Sequence, residues 1–283
     1  MLRLTCDQAL ELVRPMLMEG PLPEQPNQRT LDEYRCMKLS YETSDGLLTN
    51  RQKAVYLASC DHFGSAWLRA LPSRQAGTLL DADHFRMACG IRMGAPICHA
   101  FKCRLCDVMV DPDGLHPLSC RASAGRTSRH AELNDIVQRS LRRAKIASCL
   151  EPNVQCTVVG LRPDGITIPP WANGKSLVWD VTVSCTAADS YIDHTSHSVG
   201  WAAEHAAREK RRKYVSLLIT YLFVPLAMET LGPLCREGSC FLKDLSRRLE
   251  NVTGDRQEGE YLRQRLSIAV WRGNCVSIKA AMG

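Results

Sequence analysis

The residues with the strongest metal-binding chemistry form one short run, Cys103-x2-Cys106-x9-His116-x3-Cys120. Structural zinc takes four sulfur or nitrogen ligands, and a Cys-x2-Cys pair followed by a short loop to a His/Cys pair supplies them without a large scaffold. The turn formers of "DPDGLHP" suit that loop. The spacing predicts a structural zinc site, and Cys98 and His99 lie close enough in sequence to replace one ligand. The alternative is a group of buried reduced thiols beside an incidental histidine.

Two aspartates form a second candidate site. Asp164 follows Arg162 and Pro163, and Asp180 lies inside the strand-forming run "LVWDVTVS". Burial of an unpaired carboxylate costs several kcal/mol, so Asp180 requires a cation. If the two aspartates lie on adjacent strands across the connection "PPWANGK", a shared Mg²⁺ would relieve their repulsion. From these residues alone, an ion pair between Asp180 and an arginine is an equal alternative.

The elements that must position these residues follow from hydrophobic spacing and turn signals. The sequence predicts a helix over residues 128–147, short strands at 154–159, 165–168 and 177–184, a helix over 197–214 and a strand at 217–224. This order is typical of an α/β fold in which helices cover a central sheet. Further helices are predicted at 5–18, 50–71, 81–92, 241–251 and 258–278.

The helix predicted over residues 197–214 carries a small, apolar face made of Val199, Ala203, Ala206 and Ala207. Such a face lets a helix lie close against a sheet. Lys210 continues the same face, so its aliphatic stem is expected to run along the sheet toward the carboxylates.

Charge and composition favour an intracellular protein with an anionic partner. The net charge is +6, and basic residues concentrate at 121–145 and 208–214, where Arg208, Arg211 and Arg212 supply an outward basic surface. Arg129 and His130 are candidates for phosphate contact or for capping their helix. The alternative for both basic runs is a solvated helix face. The 14 cysteines are scattered and no apolar signal segment is evident, so we expect reduced thiols. The apolar run at residues 215–228 is too short for a membrane span and is expected to form a buried strand.

Five elements together resemble a known family. "RPD", "WDVTV" and "REKRRKY", preceded by the Cys-Cys-His-Cys knuckle and "RHAELN", resemble the restriction-like endonuclease at the carboxyl end of site-specific non-LTR retrotransposon polyproteins. That domain belongs to the PD-(D/E)xK nuclease superfamily, and the resemblance covers residues 101–224. It implies a restriction-endonuclease-like core with a central mixed sheet, zinc in the knuckle, and Asp164 and Asp180 as ligands of a catalytic Mg²⁺ or Mn²⁺.

The catalytic lysine departs from the superfamily pattern. Its usual position, two residues after the second acid, holds Thr182. The retrotransposon enzymes instead supply a lysine from the following helix in a Lys-x-x-Lys-Tyr pattern, which Lys210, Lys213 and Tyr214 match. Glu132 is a weak match to a further acid found in related nucleases.

The resemblance and the residues together predict four segments. These are a helical linker-like segment (1–95), the zinc knuckle (96–125), the restriction-endonuclease-like core (126–228) and a C-terminal helical extension (229–283). The chain lacks the reverse transcriptase "YxDD" carboxylates, so we expect a fragment or a separate gene derived from such an element. The expected function is nuclear, metal-dependent cleavage of DNA, with RNA as an alternative substrate. A nucleic-acid-binding remnant without activity and a purely structural protein are the alternatives.

Overall fold

The computed structural model describes residues 49–283 except residue 124 and residues 153–160, together with residues 32, 35, 36 and 46. The chain divides into two compact units, Met1–Thr49 and Asn50–Gly283. All elements named below belong to the second unit. The helix predicted at 5–18 and the strand predicted at 154–159 lie outside the described residues.

Helices make up about half of the second unit. The α-helices are α1 Asn50–Cys60, α2 Ala82–Arg92, α3 His116–Ser119, α4 Gly125–Arg143, α5 Ile192–Thr195, α6 Trp201–Lys213, α7 Arg236–Thr253 and α8 Glu258–Met282. The strands are β1 Phe101–Lys102, β2 Met109–Val110, β3 Ser148–Leu150, β4 Gly165–Thr167, β5 Leu177–Ser184 and β6 Leu222–Glu229. Two 3₁₀ helices cover Ala66–Arg69 and Val215–Ile219.

The main sheet has the strand order β3-β4-β5-β6 and is mixed. The β3/β4 and β4/β5 pairs are antiparallel, whereas β5 and β6 are parallel. Parallel neighbours need a crossover connection, and the segment that contains α5 and α6 provides it. The predicted α/β class, with a mixed sheet flanked by helices, is confirmed.

The two faces of β5 meet different helices because successive side chains alternate across a strand. Trp179 and Val181 face a large core with residues of α4, α7 and α8. Val178 lies in a separate cluster with Tyr214, the residue that follows α6. By the same alternation Asp180 belongs to the α6 face.

Helix α6 lies close against the sheet through small residues, as its sequence predicts. Ala203 and Ala207 are buried against Ala227 of β6. Val199, which was predicted to share this face, precedes the helix and is exposed.

Two predicted elements differ from the structure. Residues 50–71 form α1 and a 3₁₀ helix instead of one helix, because the Asp61 side chain accepts the N–H groups of Phe63 and Gly64 and turns the chain. A Cβ on Gly64 would lie 2.8 Å from the carbonyl oxygen of Leu231, so this turn also needs a glycine.

The apolar run at 215–228 is the other difference. It begins as a 3₁₀ helix and becomes strand β6 only at Leu222, five residues later than the predicted start of the strand. A continuous apolar run does not distinguish a short buried helix from a strand.

Helix α8 is the longest helix among the described residues, with 25 residues, and its middle is covered on all sides, because the six consecutive residues 266–271 are buried. It packs against α4, α7, α2 and α3, so it connects the main sheet layer with the region around residues 101–120. None of the described helices combines the length and the apolar character that a membrane span requires.

A buried glutamate holds the start of α6. Glu229, at the end of β6, is 1% exposed, and its Oε1 accepts the N–H groups of Ala202 (2.9 Å) and Ala203 (3.4 Å). A carboxylate at a helix N-terminus is favoured by the helix dipole. Burial nevertheless raises the pKa of Glu229 from 4.5 to about 7.

This raised pKa predicts a pH-dependent effect of Glu229→Gln. Between pH 4.5 and about 7 the folded protein binds more protons at Glu229 than the unfolded chain does, so stability falls as pH rises through that window. Glutamine keeps the acceptor and cannot ionise. We expect the variant to match the wild type near pH 4 and to exceed it at pH 8 by up to on the order of 3 kcal/mol. Denaturant unfolding at several pH values measures this; a difference that does not grow with pH would contradict it.

Candidate functional site

The predicted cysteine–histidine run closes into one cluster. The ligand atoms of its four members all lie within 4.8 Å of one another; the members are Cys103, Cys106, His116 and Cys120. A tetrahedral zinc with sulfur ligands at about 2.3 Å places those sulfurs about 3.8 Å apart, so the cluster can hold such an ion. Among the residues that the structure describes, it is the one cluster of three or more His, Cys, Asp or Glu side chains with this geometry.

Local backbone geometry brings the two halves of this cluster together. In the β1–β2 hairpin, the N–H of Cys103 donates to Val108 O (2.9 Å), and the N–H of Asp107 donates to Cys103 O (2.8 Å). Asp107 adopts the left-handed region (φ 65°), which the tight turn requires. Helix α3 supplies His116 at its start and ends just before Cys120.

The thiol chemistry of the cluster suits a metal. The N–H of Val108 and the nearby His116 lower the pKa of Cys106 to about 7, and its Sγ lies 3.1 Å from His116 Nε2. The thiolate is the form that binds zinc. Cys98, the alternative ligand, instead lies near the carbonyl oxygens of residues 111 and 112, and His99 is exposed outside the cluster.

The knuckle is docked on the end of α8. Cys103, Val110 and Cys120 pack with Ala281 in a small apolar cluster, and the N–H of Arg104 donates to Ala281 O (3.1 Å). A metal ion bound here would therefore stabilise the last turn of α8 as well as the knuckle.

The two aspartates also lie together. Strands β4 and β5 are antiparallel neighbours, as predicted, with Gly165 opposite Trp179. Just before β4, the N–H of Asp164 donates to Trp179 O (3.1 Å), and its Oδ2 accepts the N–H of Val181 (2.6 Å). Asp164 is thus bonded to the residues on both sides of Asp180.

Asp180 is 3% exposed and has two partners from the α6 segment. Lys210 Nζ lies 2.5 Å from its Oδ1, and the hydroxyl of Tyr214 donates to its Oδ2 (2.6 Å). Burial, together with the adjacent Asp180 carboxylate, raises the pKa of Tyr214. The cation beside Asp180 is therefore a lysine, not the arginine considered as an alternative, and it comes from the predicted helix face. Despite this ion pair, Oδ1 has no hydrogen-bonding partner of acceptable geometry among the described residues.

Asp164 has its own partner, His130 of α4. The imidazole Nε2 lies 2.9 Å from Asp164 Oδ2, and this hydrogen bond raises the pKa of His130. Burial acts to raise the pKa of Asp164, but hydrogen bonds from His130 and Val181 outweigh it and lower that pKa. His130, predicted to contact phosphate or cap its helix, is thus held against a carboxylate.

Two residues that the sequence analysis missed support this arrangement. Asn134 Oδ1 accepts the indole N–H of Trp179 (3.0 Å), and its amide donates to His130 O (3.3 Å). Gly165 leaves room for the indole, because a Cβ there would lie 2.0 Å from the Trp179 ring. Two features of the sequence could have pointed to these residues: an asparagine one helical turn after His130 and a glycine directly after Asp164.

Several basic residues predicted to contact nucleic acid or to serve in catalysis lie on the surface of α6. Arg208, Arg212 and Lys213 are exposed, and Lys213 Nζ lies 4.9 Å from the centre of the Tyr214 ring. Arg211 instead forms an ion pair with Glu237 of α7.

Two α4 residues lie elsewhere than expected. Arg129 is 2% exposed and donates to Asn274 Oδ1 (2.5 Å), so its side chain is not at the surface, where a phosphate would bind. Burial lowers its pKa to about 10. Glu132 forms an ion pair with Arg272 of α8 and is not part of the aspartate site.

A scan against protein-family models finds no match, and a search of the curated proteins finds none either. The interpretation of the two sites therefore depends on their residues and geometry. One can hold a zinc ion, and the other combines two carboxylates with a lysine, a histidine and a tyrosine.

We expect one zinc ion per chain, lost in Cys120→Ser. Removal of one of four ligands weakens the site, and metal binding at such sites contributes directly to folding, so thermal stability should fall as well. Elemental analysis and thermal unfolding measure the two effects. Cys98→Ser is the matched control and should keep both zinc and stability. Wild-type protein without zinc, or unchanged zinc in Cys120→Ser, would refute the assignment.

The metal-free stability of Asp180→Asn tests the ion pair. Because Lys210 pairs with Asp180 and His130 is hydrogen-bonded to Asp164, we expect these partners to outweigh the repulsion between the two carboxylates. The variant should lose about 1–3 kcal/mol in EDTA, since it leaves Lys210 without a counter-charge. Asp244→Asn, which removes a surface pair with Arg248, should change stability by less than about 0.5 kcal/mol. Unchanged or increased stability of Asp180→Asn would show that repulsion between the carboxylates dominates.

Proposed function

We propose that this chain is a divalent-metal-dependent DNA endonuclease with a restriction-endonuclease-like core. The observation that carries the proposal is the meeting of Asp164, Asp180 and Lys210, which come from two adjacent strands and the following helix. The resemblance to the retrotransposon nucleases predicts this combination of residues. If these three residues had only structural roles, their match to the nuclease pattern would be a coincidence.

Asp164 and Asp180 are the residues that would hold Mg²⁺ or Mn²⁺. Carboxylate oxygens are the ligands that these hard cations prefer. Asp180 Oδ1 lacks a well-aligned hydrogen bond but lies 2.5 Å from Lys210 Nζ, and the Asp164 side chain is 15% exposed, so a bound ion would share Asp180 with Lys210 and would be reached from solvent beside Asp164. When bound, such an ion would polarise a phosphodiester oxygen and lower the pKa of water.

Lys210 supplies the positive charge for the reacting phosphate. Its side chain is 26% exposed, so the ammonium group is near Asp180 and still accessible to a substrate. A preorganised ammonium stabilises negative charge that develops on a phosphate in the transition state. Thr182 occupies the usual lysine position and carries no charge, so on this proposal Lys210 of α6 stabilises the phosphate instead.

Tyr214 and His130 position the carboxylates. The Tyr214 hydroxyl holds Asp180 Oδ2 and also lies 3.0 Å from the carbonyl oxygen of Arg162, two residues before Asp164. His130 holds Asp164 from α4. Both act through the aspartates and are positioning residues.

The partner on this proposal is DNA, and the site of action is the nucleus. Arg208, Arg212 and Lys213 present exposed cations at the end of α6 that carries Lys210. Contacts of this kind to the phosphate backbone are largely independent of sequence and weaken with salt.

One observation favours a second candidate function. Lys210 forms an ion pair with Asp180 and compensates its charge without a metal ion. A buried ion pair of this kind is also what a nucleic-acid-binding remnant without cleavage would retain. The two functions differ in whether phosphodiester bonds are broken.

Nicking of supercoiled plasmid decides between them. We expect the wild-type protein to nick DNA with Mg²⁺ or Mn²⁺ and not with EDTA. Lys210→Ala should lower the rate about a hundredfold or more at nearly unchanged DNA affinity, the scale of one lost transition-state contact. Asp164→Asn should abolish nicking.

Lys213→Ala is the matched control, because it removes a lysine three residues away that faces solvent. It should weaken binding and cleavage together and make the salt dependence of binding shallower. DNA binding without metal-dependent nicking by the wild type would support the inactive remnant. Full activity in Lys210→Ala would leave the endonuclease proposal without a catalytic lysine.

A further inference from the structure

A third site candidate lies on the other side of α4 from the aspartates. A cavity of about 700 Å³ opens between α4, α8 and the loop of residues 71–78. Five arginines line this arginine cavity: Arg74, Arg139, Arg143, Arg265 and Arg272. Two carboxylates, Glu132 and Glu258, also line it, and Asp135 beside the cavity pairs with Arg139, so five arginines face three carboxylates and an excess of two positive charges remains.

Both lining carboxylates form ion pairs, and the second oxygen of Glu258, Oε2, is buried without a hydrogen-bonding partner among the described residues. Glu132 pairs with Arg272, whose guanidinium also donates to the carbonyl oxygens of Gly77 and Leu79. Glu258 is fully buried and pairs with Arg143. Arg139 pairs with Asp135 of the same helix, so Arg74 and Arg265 are the lining arginines without an ion pair among the described residues.

Arg265 is the arginine with the least compensation. Its Nη2 atom is buried and has no hydrogen-bonding partner among the described residues. Its guanidinium interacts with Arg143 and Arg139 as well as with Glu258. Burial and the repulsion from Arg143 together lower the pKa of Arg265. A buried donor without an acceptor carries a desolvation penalty, which an anion in the cavity would relieve.

The size and lining of the cavity indicate a small ligand. Small-molecule sites typically enclose about 300–1,000 Å³ and combine apolar walls with a few convergent polar groups. Leu71, Ile136 and Tyr261 supply apolar and aromatic surface beside the arginines. Guanidinium groups bind phosphate through paired hydrogen bonds.

The position on α4 separates this cavity from the aspartate site. Glu132, Ile136 and Arg139 line the cavity, whereas His130 and Asn134 face the aspartates. Residues two positions apart on an α-helix differ by about 200° around its axis, so the two sets lie on opposite sides. A DNA strand held at the aspartates is therefore not the natural occupant.

We propose that the arginine cavity binds a free phosphate-bearing ligand of nucleotide size. This inference does not depend on the endonuclease proposal, because it uses neither the aspartates nor Lys210. Arg265 donates to the phosphate, with Arg139 and Arg74 at the cavity wall, and the apolar wall accommodates the remainder of the ligand.

Calorimetric titration of the full chain with pyrophosphate and with ATP tests this, in EDTA and at an ionic strength held constant with KCl. We expect both to bind and to raise the melting temperature. Arg265→Gln should weaken their binding at least about tenfold, while the ligand-free protein melts at the same or a higher temperature because repulsion is reduced. Arg247→Gln, an exposed arginine of α7 outside the cavity, should bind as the wild type does.

Three results would overturn the proposal. They are absence of binding beyond that of matched KCl, an equal loss in Arg265→Gln and Arg247→Gln, and an Arg265 dependence confined to a single-stranded oligonucleotide. The last result would assign the cavity to a nucleic-acid strand. If Arg265→Gln does not fold, Arg139→Gln replaces it, with the same weakening expected, because Arg139 is largely exposed and tolerates substitution more easily.

Discussion

The position of α6 depends on one buried carboxylate. Asp180 lies in a central strand with 3% of its surface exposed, where an uncompensated charge would cost several kcal/mol. Lys210 and Tyr214 provide the compensation, and both come from the α6 segment. Strand β5 and helix α6 must therefore stay in contact at this point. The same contact holds Lys210, the candidate catalytic lysine, beside Asp180.

The rest of the sheet layer maintains this geometry. Ala203 and Ala207 are small enough for α6 to lie directly on β6, and Glu229 at the end of β6 binds the N-terminal amides of α6. A helix that starts at a fixed point and packs closely presents Lys210 about two and a half turns later at a fixed height. On the opposite face, Trp179 packs into the main core and connects through Asn134 to His130, the partner of Asp164.

Helix α8 connects the features that lie away from the aspartates. Its last turn carries the Cys/His knuckle, its middle contains Asn274, the partner of buried Arg129, and its first half lines the arginine cavity. Burial of a guanidinium group is costly, and it occurs at two points along α8. The two guanidinium groups differ in whether a hydrogen-bond acceptor compensates for their burial. Arg129 has a neutral amide acceptor, whereas Arg265 in the cavity has a donor nitrogen without an acceptor.

The sequence by itself determined the features that depend on local spacing. These include the four members of the Cys/His cluster, the exact span of β5, the small face of α6 and the direction of Lys210, since period and ligand spacing are properties of neighbouring residues. The tertiary structure alone decided which charges meet. It buried Arg129, paired Glu132 with Arg272 and Arg211 with Glu237, placed His130 on Asp164, and collected five arginines around one cavity. These partners are separated by up to 140 residues in sequence, and an exposed and a buried arginine have the same local signature, so only the packing of α4, α6, α7 and α8 could select among them.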